Sequence, residues 1–276
     1  MTETIPVRST KDPGQQVRVT VVSTSVTPVT SMSHDGVLLH GVHITPVHGV
    51  TDLAFVIGHG FTNHVRKPSV SRVLTRFARH GGVVALDFRG HGRSAGRSTV
   101  GADEVHDLAA GVSLARSLGY RRVVTVGFSM GASIAIRHAA LAAEKPDAVA
   151  AVSGPSRWWV RETVAMRRVH WLLEQPHGRL AARALGVRLG DRWDTPPESP
   201  LEVVHRITPT PLLVVHGEDD HYFSPAHAVA LHKATNGHSE LWLEPATRHA
   251  ESAMTPVLVD RIAAWLDDAS TREGKK

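Results

Sequence analysis

Gly127-Phe128-Ser129-Met130-Gly131 sets one serine between two glycines, directly after the valine-rich run RVVTVGF (122–128) and before the small residues Ala132-Ser133-Ile134-Ala135. A serine hydroxyl becomes a nucleophile when it is exposed and a base can take its proton. A tight turn from strand to helix exposes it, provided the flanking positions are glycine or very small so that neighbouring backbone can approach. The helix N-terminus that follows favours the negative charge developing at such a site. The chemistry this pattern points to is attack on an activated carbonyl. The chain has no cysteine, which removes a thiolate nucleophile, a disulfide framework and cysteine-based metal sites.

The elements that must position this serine follow from the apolar pattern. Valine-rich runs alternate with amphipathic Ala- and Arg-rich stretches, as in a βαβ sheet protein. The opening runs at 17–26 and 37–46, separated by Ser-His-Asp-Gly, predict an antiparallel hairpin or meander. Strands follow at 53–60, 82–88, 122–128, 148–154, 211–217 and 240–245. Most read as continuous apolar runs, which suits parallel strands covered on both faces. Helices are predicted at 69–80, 103–118, 131–143, 225–235 and 256–269. The first carries Val70, Val73, Leu74 and Phe77 at helical spacing and is closed by Gly81-Gly82.

The segment 155–208 breaks the pattern. It holds four of the six tryptophans, Trp158, Trp159, Trp171 and Trp193, with several leucines. This predicts a helical insertion over the carboxyl edge of the sheet, where open α/β sheets bind ligands. The domain reading is a core from 1–154 and 209–276 with a cap at 155–208. Within the cap, the stretch 157–192 carries eight arginines against Glu162, Glu174 and Asp191, an excess equal to the formal net charge of +5 for all 276 residues. Such a localised surface reads first as a solvated charged face; it also suits an acidic substrate or an anionic membrane face, and no nucleic-acid reading module is present. No stretch reaches the roughly 18 apolar residues of a membrane span. The N-terminus has no apolar leader, so a cytoplasmic location is expected by default.

Four landmarks, in order, make the chain resemble the α/β-hydrolase superfamily. They are His59-Gly60-Phe61 after one strand, Asp87-Phe88-Arg89-Gly90-His91-Gly92-Arg93-Ser94 after the next, the serine motif, and His216-Gly217-Glu218-Asp219-Asp220 after a late strand. The resemblance implies a mostly parallel sheet of about eight strands flanked by helices. It also implies Ser129 as nucleophile, Asp220 as the acid, with Asp219 as its competitor, and His249 as the base in the loop after the last strand. Arg248 stands where the family often has glycine. An oxyanion hole from the backbone N–H groups of Phe61 and Met130 is implied as well. His59, His91 and His216 sit in these landmark loops as structural hydrogen-bonders, and with no His-Glu-x-x-His among nineteen histidines neither a metal nor an organic cofactor is expected.

The fold alone does not fix the reaction. A serine at this position disfavours relatives whose nucleophile is a carboxylate. The first expectation is a serine hydrolase cleaving carboxylic esters of apolar acyl or aromatic groups, with Trp158, Trp159 and Trp171 in the substrate pocket. Two alternatives stand beside it. One is an acyl-thioesterase acting on a phosphate-bearing carrier such as acyl-CoA, recognised by the cap arginines. The other is a non-catalytic binding module of the same fold.

Overall fold

A computed structural model describes the backbone of residues 2–8, 16–22 and 25–273 and the side chains of 25–272. Ten strands are found there. β1 (Thr2–Arg8) and β2 (Gln16–Val22) pair only with each other, as an antiparallel ribbon. The other eight form one sheet in the order β10-β9-β8-β7-β5-β6-β4-β3. They are β3 (Val26–Met32), β4 (Leu38–Ile44), β5 (Leu53–Gly58), β6 (Gly82–Leu86), β7 (Arg122–Phe128), β8 (Ala148–Val152), β9 (Leu212–Gly217) and β10 (Ser239–Glu244). β4 runs antiparallel to both its neighbours, and the six strands from β6 to β10 are parallel.

The parallel strands are hydrophobic throughout because both faces are covered. On β5, Leu53, Phe55 and Ile57 enter one core, while Ala54 and Val56 enter the other. The first core is closed by α1 (Pro68–Phe77) and α9 (Pro256–Glu273), the second by α2 (Glu104–Ser117), α3 (Met130–Leu141) and α7 (Ala226–Ala234). α1 begins at a proline and buries Val70, Val73, Leu74 and Phe77. Each such buried side chain contributes about 1.5–3 kcal/mol. Helix ends differ from the expected ones by a few residues at most, save α9, which runs four residues further.

The antiparallel opening departs from the sequence expectation in one arm. Ser33 to Gly36 is indeed a turn, but the strand before it is Val26–Met32, sharing only Val26 with the expected run at 17–26. An edge strand needs one apolar face at most, and β3 is largely exposed, so its weak pattern was outweighed by the valines of 17–22. Residues 23–24 of that run lie outside the described residues.

Between β8 and β9 the chain leaves the sheet. This segment carries α4 (Val164–Glu174), α5 (Pro176–Ala184), α6 (Pro200–Val203) and a 3-10 turn at Val204–Ile207. Thr163 caps α4 by accepting the Met166 N–H at 3.1 Å. α4 and α5 cross closely at Gly178, where a Cβ would lie 2.1 Å from the Trp171 carbonyl oxygen. Val203, Val204 and Ile207, by contrast, are fully buried against α3 in the second core.

Candidate active site

Ser129 stands between β7 and α3 with φ 53° and ψ −114°. A non-glycine residue rarely holds this conformation, which costs on the order of 1–3 kcal/mol. Surrounding structure enforces it. The Ser129 N–H donates to the Val152 carbonyl at 2.9 Å. A Cβ on Gly127 would sit 2.1 Å from the Gly131 oxygen, and one on Gly131 only 2.3 Å from the Gly58 oxygen. Both flanking glycines are therefore required by backbone approach.

The Ser129 hydroxyl lies 2.9 Å from His249 Nε2, and His249 Nδ1 lies 2.7 Å from Asp220 Oδ2. His249 follows β10 in a short loop and opens α8 (Ala250–Ala253). Ala250, just after it, has φ 50° and donates its N–H to Ser153 Oγ at 3.1 Å, which fixes the loop to the end of β8. The Asp220 side chain is wholly buried. Its second oxygen accepts the N–H groups of Tyr222 and Phe223 at 2.8 and 3.2 Å. Burial pushes the Asp220 carboxyl up, but the hydrogen bond and charge of His249 and the Tyr222 N–H outweigh it and hold the carboxyl below its ordinary range. Asp219 is exposed, and its N–H is bonded to the Thr247 carbonyl. Of the acidic pair, Asp220 reaches the histidine.

The ring of His249 is walled by aromatics that sequence reasoning did not assign to the site. Tyr222 lies 4.4 Å and Phe223 5.6 Å away between ring centroids. Their only signal was position, directly after the acid.

Phe61 and Met130 flank the serine as expected, and among the described residues neither amide N–H donates to another group. The Phe61 loop is held from three sides. The Phe88 N–H donates to His59 Nε2 at 3.0 Å, so the His59 proton sits on Nδ1 and donates to the Gly60 carbonyl at 2.9 Å. Burial, aided by nearby His91, pushes the His59 pKa down to about 3 and keeps it neutral. His91 Nε2 contacts the Phe61 carbonyl. The third anchor is Glu251, also absent from the sequence reading. It is 2 % exposed, and Glu251 Oε1 accepts the Gly60 N–H at 2.7 Å. A Glu two residues after the expected base was the available signal.

A cavity of about 900 Å³ opens above the serine. Trp158, Trp159 and Trp193 line it, packed on one another at 5.3–5.8 Å between centroids. Trp171 does not, contrary to expectation. On α4 the residues facing the cavity are Met166, Val169, His170, Leu173 and Glu174, and Trp171 falls on the other side, 49 % exposed. Trp193, outside α4 and α5, lacked a helical frame to assign it. Among the described residues no helix is long and apolar enough to cross a membrane, and no three His, Asp or Glu side chains are grouped as a metal ion would need.

An eight-stranded, mostly parallel sheet with this serine at the turn after β7 defines an α/β hydrolase. Residues 50–195 match the family described as "Serine aminopeptidase, S33", and the chain belongs to that family of hydrolases. No curated protein matches it in sequence. Among solved structures it is similar to the Pyrococcus furiosus esterase Pf2001, at 23% identity and TM-score 0.69 over 91% of this chain and 92% of that one. The hypothetical protein PA2218 from Pseudomonas aeruginosa is 19% identical, with TM-score 0.69 over 90% and 95%. XC6422 from Xanthomonas campestris, described as an α/β serine hydrolase without lid, is 19% identical, with TM-score 0.59 over 91% and 95%. At these identities the likeness carries the fold.

Proposed function

We propose that this protein hydrolyses carboxylic esters of apolar acyl or aromatic groups through an acyl-enzyme on Ser129. The observation that carries the reading is the continuous hydrogen-bonded chain Ser129–His249–Asp220 at the floor of a tryptophan-lined cavity. His249 Nε2 takes the Ser129 proton as Oγ attacks the ester carbonyl carbon. The resulting oxyanion is held by the Phe61 and Met130 amides, each worth about 3 kcal/mol in such a role. The C–O bond then breaks, and the proton on His249 passes to the departing alkoxide. Water, deprotonated by His249, then attacks the acyl carbon, the acyl–Oγ bond breaks, Ser129 Oγ takes the proton back from His249, and the acid is released. Asp220 keeps the His249 proton on Nδ1 and stabilises the imidazolium.

Residues 155–199 act in this reading as a cap over the serine, while 200–207 belong by packing to the core. Four cap arginines line the cavity, and each has an acceptor inside the protein. Arg157 pairs with Glu162 and Arg161 with Glu174, Arg179 meets the Gly190 carbonyl, and Arg192 the Glu174 carbonyl. Only Arg157 and Arg161 are compensated by carboxylates; it is the tryptophan lining that favours an apolar ester over a phosphate-bearing thioester. The family description also names an aminopeptidase, whose substrate brings an ammonium group. The carboxylate near Ser129 that would meet it, Glu251, accepts the Gly60 N–H through one oxygen only, so turnover of aminoacyl substrates is the observation that separates the two readings.

The test is hydrolysis of p-nitrophenyl esters of increasing chain length by wild type and Ser129→Ala, with aminoacyl p-nitroanilides and acyl-CoA alongside. Ester turnover that disappears with the serine is expected. Faster turnover of the anilides or of acyl-CoA would replace the ester reading. Failure of a fluorophosphonate to label Ser129 would overturn serine catalysis altogether.

A further inference from the structure

The exposed side of the cap is apolar and cationic at once. α4 turns Val164, Arg167, Arg168 and Trp171 to solvent, at positions i, i+3, i+4 and i+7. α5 and its end expose Leu180, Arg183 and Leu185. Trp171, Leu180 and Leu185 are 49%, 69% and 53% exposed. The two helices are one packed pair, joined at Gly178. Within this pair the one carboxylate is Glu174, which is engaged by Arg161 and His170. Among the described residues Arg167, Arg168 and Arg183 have no carboxylate within ion-pair distance.

We propose that this outer face of α4 and α5 docks on an anionic lipid–water interface. Apolar side chains interleaved with arginines suit a headgroup layer, where tryptophan and leucine enter the acyl boundary and the guanidinium groups meet lipid phosphates. A second copy of this chain is a poor occupant, because like charges would face each other. A nucleic acid would leave Leu180, Leu185 and Val164 without a partner. The docking is independent of which acyl compound is hydrolysed. Met166, Val169 and Leu173 on the opposite side of α4 line the cavity, so this one helix faces lipid on one side and the cavity on the other.

The experiment is co-sedimentation of the full chain with phosphatidylcholine vesicles containing 0 or about 30% phosphatidylserine, a typical anionic mixture for such surfaces. Binding to the anionic vesicles, weak binding to the neutral ones, and release by salt are expected. Each arginine near an anionic surface multiplies partitioning about fivefold, so Arg168→Gln with Arg183→Gln should weaken it about 25-fold. Trp171→Ser with Leu180→Ser should weaken it at every salt concentration. Both double variants keep wild-type turnover of a short soluble ester, because none of these side chains lines the cavity. Equal binding to the two vesicle types, no binding to either, or undiminished binding by both variants would overturn the proposal. So would a dimer, seen by light scattering, that the same variants abolish.

Discussion

Glu251 offers a sharp test of how the site is held together. Its carboxylate accepts the Gly60 N–H, and the positions around Gly60 Cα bring it within reach of the reacting centre. A Cβ built on Gly60 would lie 3.4 Å from Glu251 Oε2 and 3.5 Å from Ser129 Cβ. In the proposed mechanism the same short segment thus supplies the base, His249, and the anchor of the loop that carries the Phe61 amide. A hydrogen bond to a charged acceptor is worth about 1.5–3 kcal/mol, and part of an oxyanion donor worth about 3 kcal/mol depends on it here. Glu251→Ala should therefore lower kcat roughly 10- to 100-fold, as 1.4 kcal/mol corresponds to a factor of ten, with KM nearly unchanged. Glu251→Gln keeps an acceptor oxygen at the same reach and should recover most of the loss. Steady-state kinetics on a p-nitrophenyl ester, with Tm measured for each variant, separates this from simple destabilisation. If Glu251→Ala keeps kcat within twofold, or Glu251→Gln is equally impaired, the acceptor geometry is not what matters and the reasoning fails.

Asp220→Asn should lower kcat by about 10³–10⁴-fold, because an amide no longer favours the proton on His249 Nδ1; comparable loss in Asp219→Asn would refute that assignment. Gly131→Ala forces a Cβ to within 2.3 Å of the Gly58 oxygen; overpacking of this kind costs about 1–3 kcal/mol, so a lowered Tm and loss of fluorophosphonate labelling are expected. Trp193→Ala should move the preferred acyl length upward in the ester series, while Trp171→Ala should leave it in place. His138 is 1% exposed, and burial pushes its pKa down to about 4. Between that value and about 6.5 the unfolded chain binds the extra proton, so stability is complete above pH 6.5 and falls as pH drops toward 4. For this one group the loss from pH 7 to 5 is about 2 kcal/mol, and urea unfolding of His138→Leu should show that increment removed. An unchanged difference between the two pH values in the variant would refute it.

The parallel half of the sheet was legible because double burial writes itself as unbroken valine and leucine runs, and because glycines close several helices. The serine was legible for a related reason. Its turn demands Gly127 and Gly131 at fixed offsets, and backbone approach at 2.1–2.3 Å leaves no other residue possible. β3 was misplaced because an exposed edge strand carries little apolar pattern. Trp171 was assigned to the pocket on type alone, although the phase of α4, set by Met166, Val169 and Leu173, already turned it outward. Glu251, Tyr222 and Phe223 escaped because their roles depend on three loops meeting in space, and each loop by itself reads as ordinary connecting sequence.

The distribution of the cap arginines bears on what the cavity can accept. A cluster of eight arginines reads in sequence as one basic surface, but the structure divides it. Of the four that line the cavity, Arg157 and Arg161 pair with Glu162 and Glu174, whereas Arg179 and Arg192 meet only carbonyl oxygens. Recruiting Arg157 or Arg161 to a substrate phosphate would compete with its present carboxylate, and the free energy of the new ion pair would be offset in part by the old one. Arg168 and Arg183 have no such competitor and point away from the cavity. On the outer face positive charge is thus uncompensated by carboxylates among the described residues, so electrostatic attraction acts on what the cap approaches. In the proposed reading, selection of the acyl group is left to Trp158, Trp159 and Trp193, against which an apolar group is buried without regard to charge.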